Sequence, residues 1–244
     1  MRELIAITDV TQMWGDQVCI AGVNKDLKCI RPVIEDGVLI WDLLRPRKPV
    51  IFPGAKVEFD LTPADIVPPH IEDATFDPDT VKSRGTFGER HWEQLLRSIC
   101  FKSVSEIFDG HLADRKVPPG TNTRSLGTVA DVRLNRLEID DRFERRTLRM
   151  DFEDATGEAY KRFSVNDLAF RGFFQEHESG ALAKGQAELA VMAALTAAER
   201  VYLRVGLARP TEMGDYEEAC WAQITGVYTF PDYLNGRTFA DFDW

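Results

Sequence analysis

Two stretches late in the 244-residue chain carry the side chains best suited to holding a ligand. In "RVYLRVGLARP", Val201, Leu203, Val205 and Leu207 alternate as the core face of a strand, which sends Arg200, Tyr202 and Arg204 to the opposite face. In "CWAQITGVYTF", Ala222, Ile224 and Gly226 read as inward, leaving Trp221, Gln223 and Thr225 outward. If the two strands pair, arginine, tyrosine and tryptophan share one platform with amide and hydroxyl donors. Such a surface either stacks an unpaired base and contacts phosphate, or is covered by a helix or by the other domain with Trp221 as a core anchor.

Two further stretches hold charge in constrained backbone. "PPHIED" sets His70, Glu72 and Asp73 behind a rigid diproline, which fixes an imidazole and a carboxylate for a ligand or simply forms a capped surface turn. In "CIRPVIEDG", Arg31 shares a strand face with Cys29 and Val33, and Pro32 confines that strand to an edge or to its end. An arginine there either pairs with a buried acid or points into a groove.

Familiar catalytic templates are missing: the chain has no Walker loop, GxGxxG, GxSxG or HExxH. Its four histidines (His70, His91, His111, His177) are far apart, so neither a metal nor a cofactor is expected. Asp9, Glu58, Asp60, Glu72 and Asp73 could converge on Mg²⁺ as in nucleases, although Glu58 and Asp60 fall on the polar face of an amphipathic strand, where solvated acids belong.

The elements that must position these groups are mostly strands. Residues 3–9, 17–23, 28–33 and 55–62 read as strands, the last alternating Val57, Phe59 and Leu61 against Lys56, Glu58 and Asp60. "LRPRKPVIFPG" and "TPADIVPPHIEDATFDPDT" are too rich in proline for central strands. "GERHWEQLLRSICF" places Trp92, Leu95, Leu96 and Ile99 at helical spacing, and Ser103 with Glu106 has capping-box spacing. "DRKVPPGTNTRSLG" then reads as a linker. Beyond it, the apolar phase Ala130, Val132, Leu134 shifts by one to Leu137, Ile139, the mark of a β-bulge that curls a strand around a small barrel. "RRTLRMDF" alternates Leu148, Met150 and Phe152 inward. Ser164 to Asp167 caps a helix of about a dozen residues, and an alanine-rich helix follows. The fold class expected is mainly β with added helices (α+β), two small OB-like barrels spanning residues 1–115 and 116–244 and joined by the Pro/Gly-rich linker.

Net charge is −10, against indiscriminate duplex binding, but it is uneven. From Arg133 to Arg149 six arginines face four acids, whereas Glu212 to Trp244 holds seven acids and Arg237 alone. One face can therefore attract polyanions. The four cysteines form no CxxC pair, no run of about 18 apolar residues exists and no secretory leader is visible, so a cytoplasmic chain without membrane contact is expected. The tail "NGRTFADFDW" offers Phe239, Phe242 and Trp244 either to a protein partner or to the barrel beneath.

"ITDVT", "VCIAG", "CIRPV", "PPHIED", "LRVGLARP" and "CWAQITGVYTFPDYLNGRTFADF" together resemble the prokaryotic dual OB-containing domain family over nearly the full chain. The resemblance implies two OB-type barrels, a nucleic-acid or nucleotide-binding role, and no catalytic residues. It implies Arg31, His70, Asp73, Arg204, Arg209 and Trp221 as contact positions. The expectation is a non-enzymatic module binding a short single strand or a nucleotide-derived ligand in a groove lined by Arg31, Tyr202, Arg204, Trp221 and Gln223. The alternatives are an adaptor using the acidic aromatic tail and, last, a metal-dependent nuclease.

Overall fold

Alternation of apolar and polar residues commits the first half to extended chain, because successive strand side chains point to opposite faces. The computed structural model describes the chain except residues 14, 35–36, 40–41, 44–48, 142–145, 181–182, 184, 214–215 and 244. Strands β1 (Arg2–Gln12), β2 (Gln17–Val23), β3 (Cys29–Val33), β4 (Val38–Leu39), β5 (Ala55–Pro63), β6 (Asp73–Phe76) and β7 (Lys82–Thr86) come first. Five of them close on themselves in the order β1-β2-β3-β6-β5-β1, all antiparallel except the β3–β6 pair. Ile5, Ile7, Ile20, Val57 and Phe59 fill this barrel and are almost fully buried. Closure depends on β1 changing partner: residues 2–6 pair with β5 and residues 6–12 with β2. At that crossing a Cβ on Gly22 would lie 2.3 Å from the Ala6 carbonyl oxygen, so glycine alone lets the strands approach. A bulge between Ile7 and Asp9 turns Asp9 out of the barrel.

Helix α1 (Glu89–Ser98), strand β8 (Cys100–Phe101) and helix α2 (Val104–Ile107) follow. The Ser103 side chain accepts from the Glu106 N–H, as the cap spacing predicts, while Glu106 accepts from the Lys102 N–H. The proline- and glycine-rich stretch expected as a linker is packed: Val117, Thr123 and Ser125 are buried, and β9 (Lys116–Val117) pairs with a strand of the second half. Its prolines and glycines shape an ordered crossing rather than a tether.

The second half holds β10 (Leu126–Ala130), β11 (Arg133–Asp140), β12 (Thr147–Glu153), β13 (Ala159–Val165), α3 (Leu168–Ser179), α4 (Gln186–Thr196), β14 (Arg200–Leu207), β15 (Thr211–Met213) and β16 (Tyr216–Phe230). Its sheet runs β11-β12-β13-β16-β14-β10-β8, with β13 and β16 parallel. Only Asp131 and Val132 separate β10, which pairs with β14, from β11, which pairs with β12. Asp131 takes φ +53 there, and the Val132 N–H reaches the Val201 carbonyl at 3.4 Å. The register shift between Leu134 and Arg136 is the bulge that the change of apolar phase predicts. Asp167 caps α3 through the Ala169 and Phe170 N–H groups at 2.9 and 3.2 Å.

One apolar core runs through both halves. A smaller cluster of Leu96, Tyr202, Tyr228 and Phe230 lies under α1. The architecture is mainly β, and among the described residues no helix is long and apolar enough to cross a membrane.

Candidate functional site

The bulge at Asp9 and the alternation of β14 bring a carboxylate and a guanidinium face to face between the halves. Arg204 Nη2 lies 2.8 Å from Asp9 Oδ2, and both side chains are 2% exposed. Arg204 also donates through Nε to Asp9 at 3.0 Å and through Nη1 to Thr128 Oγ1 at 3.1 Å. Asp9 accepts in addition from Thr8 Oγ1 at 2.7 Å and Thr225 Oγ1 at 2.5 Å. Burial lowers and the Asp9 charge raises the Arg204 pKa, with a net rise. Arg204 is therefore buried and matched to an acid and a hydroxyl of its own chain, rather than set on an open platform. Tyr202 is covered likewise: it is fully buried under α1, 5.5 Å edge-to-face from Phe230, with its hydroxyl bonded to Glu93. Alternation sends these two side chains out of their own core as expected, but α1 and β1 cover that outer face.

Four other expected residues do meet. Parallel pairing of β3 with β6 sets Arg31 opposite Asp73. Arg31 Nε donates to Asp73 Oδ1 and Arg209 Nη2 to Asp73 Oδ2, both at 2.6 Å. His70 is 1% exposed, and its Nε2–H donates to the Leu207 carbonyl at 3.2 Å. Burial, helped by Arg31 and Arg209, pushes the His70 pKa down to about 4, so the ring is neutral at pH 7 with Nδ1 a free acceptor. His70 Nδ1 and Arg31 Nη2 are buried without a hydrogen bond. Arg31 thus has its acid, Asp73, and still keeps one amino group unsatisfied.

Trp221 and Gln223 lie elsewhere, on the outer surface of the second sheet, and the residues around them are the ones the sequence reading missed. The β9–β16 pair puts Lys116 beside Trp221, with Nζ 4.6 Å from the ring centroid, and Arg115 Cζ lies 5.7 Å from it. Arg115 Nη1 donates to the Arg162 carbonyl at 2.8 Å, and Arg149 Nη1 approaches the same oxygen at 3.4 Å. Two guanidiniums thus meet at one carbonyl, with the Arg162 side chain close by. Arg162 is paired with Glu138 and, at 2.5 Å, with Asp140; Arg149 Nε lies 3.5 Å from Asp140. Burial lowers the Arg149 pKa and the nearby Arg115 and Arg162 lower it further, against the pull of Asp140. Gln223 completes the strip, accepting from Asn166 Nδ2 and standing in line with Ser164 and Arg149 across β16, β13 and β12. The strip and the Asp73 cluster are neighbours through backbone, since the Ala208 N–H donates to the Trp221 carbonyl at 2.8 Å. The arginine-rich run 133–149 announced this surface by composition. Arg115 and Arg162 had no local signal.

The acids weighed for a metal are dispersed. Glu58 pairs with Arg84 at 2.9 Å and Asp60 with Arg2 at 3.1 Å, while Glu72 accepts from Ser125 N and Oγ at 2.7 Å. Among the described residues no group of three or more His, Cys, Asp or Glu side chains converges as a metal site. The aromatic tail is occupied as well. Phe239 is fully buried, and Phe242 sits on Gly172 of α3, where a Cβ would come within 2.6 Å of its ring. Phe239 and Phe242 thus pack against the chain itself, one of the two outcomes weighed for the tail. Trp244 lies outside the described residues.

No protein-family model, curated protein or solved structure matches the chain.

Proposed function

We propose that the chain is a non-enzymatic binding module of two OB-type barrels that recognises a short single strand or a nucleotide-derived ligand on the strip of Arg115, Lys116, Arg149, Arg162, Trp221 and Gln223. The observation that carries the reading is the meeting of the Arg115 and Arg149 guanidiniums on the Arg162 carbonyl beside a half-buried tryptophan. Arginine contacts phosphate with several donors, and an indole face stacks on any base, so the two together suit an unpaired nucleotide. An anion would offset the repulsion between Arg149 and the nearby Arg115 and Arg162.

Strand order supports the two-barrel part of the reading. An OB barrel closes as a five-stranded Greek key in which the third and fifth strands run parallel. The first half has that circuit, with β3–β6 as its parallel pair. In the second half β10 and β11 act as one bent strand reaching both β14 and β12, which closes an equivalent circuit with β13–β16 parallel. Helices α3 and α4 fall between its third and fourth strands. Membership of the dual OB-containing family is part of the same proposal. In OB folds the second and third strands face the ligand, and here those are β12 and β13, which bear Arg149 and Arg162. The net charge of −10 favours a short ligand held at one surface over long non-specific tracts.

Fluorescence anisotropy of labelled single-stranded DNA and RNA oligomers, with duplex controls, tests this at low and near-physiological salt. Single-strand preference that weakens with salt and is lost in Arg149→Glu/Arg162→Glu supports it. Absence of binding at low salt, or binding unchanged in that variant, overturns it.

A further inference from the structure

The two halves also enclose a cleft of about 540 Å³, away from the basic strip and opposite to it in character. The rings of Phe52, Phe87, Trp92, Tyr228 and Phe230 line it, contributed by both halves. Trp92 meets Tyr228 at 87° with centroids 5.4 Å apart, and Phe87 is tilted 38° to Trp92 at 6.1 Å, so ring faces turn in several directions. Glu89, Asp167 and Asp232 line the same cleft. Backbone N–H groups hold each of them: Glu89 is held by Asp232, Asp167 by Ala169, Phe170 and Val227, and Asp232 by Leu234 and Gly236. Arg237, the basic residue of the lining, is engaged by Glu176 at 2.9 Å and lies over the Phe242 ring at 4.7 Å. Hydrogen bonding satisfies these carboxylates, of which Asp167 is buried, Asp232 half-buried and Glu89 exposed. Burial pushes the Asp167 carboxyl up to about 7.

We propose that this cleft binds an organic ammonium group, carried by a small quaternary amine or by a methylated lysine side chain. Aromatic faces attract cations through their quadrupole, and such a cation is too weakly hydrated to resist leaving water. Lys56 gives an internal precedent, its Nζ standing 4.9 Å over the Phe87 ring. A phosphate-bearing ligand is disfavoured by the three carboxylates, so the cleft and the basic strip select opposite charges.

Isothermal titration of the whole chain with choline, with its neutral isostere 3,3-dimethyl-1-butanol and with a trimethyllysine peptide tests the proposal. Choline or the peptide should bind at least about fivefold more tightly than the isostere, the discrimination expected of cation–π and carboxylate attraction. Preference for choline assigns a small amine, and preference for the peptide a protein tail. Glu89→Gln, which keeps the acceptor for the Asp232 N–H, should weaken the cation about threefold or more and leave the isostere unchanged. Trp92→Ala should weaken both, and a thermal melt shows whether it remains folded. Equal affinity for cation and isostere, no binding of any of the three, or a cation affinity untouched by Glu89→Gln overturns the proposal.

Discussion

Arg204 in "YLRVG" and Arg149 in "TLRMD" are locally twins, each a charge between apolar neighbours at alternating positions of a strand. One is 2% exposed and surrounded by Asp9, Thr128 and the Cys29 thiol. The other is 20% exposed, crowded by Arg115 and Arg162, with Asp140 as its acid. The partners decide the difference. A guanidinium matched donor for acceptor holds two halves of a molecule together, whereas one in surplus is available to a ligand.

The contrast is most sharply tested by breaking the matched pair. Arg204→Met leaves the Asp9 carboxylate buried without its cation and should cost about 3–5 kcal/mol, read as a large drop in Tm. Asp9→Leu/Arg204→Met should recover much of that loss; a single variant as stable as the parent would show that the pair does not join the halves. On the strip the loss should fall on affinity instead. Trp221→Ala should weaken single-strand binding by about 1–3 kcal/mol, roughly 5- to 150-fold, with Tm nearly unchanged. Arg115→Ala should act more gently, flattening the slope of log K against log salt by about 0.7, one phosphate contact on a single strand. If Arg115→Ala instead lowers Tm as Arg204→Met does, the two regions are of one kind.

The smallest effects lie in pH. Asp167 titrates near 7 in the folded chain against an ordinary value near 3.9, so the native state holds the extra proton, and this group's contribution to stability is lost as pH rises from about 4 to about 7. His70 is the reverse. Pushed down to about 4 from 6.5, it stays neutral when folded, and its contribution is lost as pH falls from about 6.5 to about 4. The two slopes oppose each other across one window. Relative to the parent, stability of Asp167→Asn should climb with pH between 4 and 6.5 and that of His70→Gln should decline, as urea midpoints at several pH values would reveal. Parallel curves for all three proteins would remove both assignments.

What the sequence disclosed was local. Alternation located β5 and β14, a one-residue slip in apolar phase located the bulge beside Leu134, and Asp167 announced its helix. Arg31, His70, Asp73 and Arg209 were each visible; parallel pairing of β3 with β6 sets Arg31 against Asp73, and the end of β14 brings Arg209 to Asp73 and the Leu207 carbonyl to His70. Whether the face of Tyr202 and Arg204 is open or covered could not be read locally, because the groups that cover it, α1 and Asp9, lie about a hundred residues or more away in sequence, where periodicity carries no information. The tail's aromatics were likewise visible as apolar, but only Gly172 on another helix supplies the gap that Phe242 fills.

The distance between Asp9 and Arg204 is 195 residues of chain. At about 5–20 residues per second of ribosomal synthesis, the carboxylate waits roughly 10–40 s for its cation to be made. Throughout that interval the nascent first barrel presents an acid and the Thr8 hydroxyl at the surface where β14 and β16 will dock. The finished N-terminal half is therefore a product of the completed chain, and gene fragments ending before Arg204 should yield a barrel whose docking face is polar, solvated and unsealed.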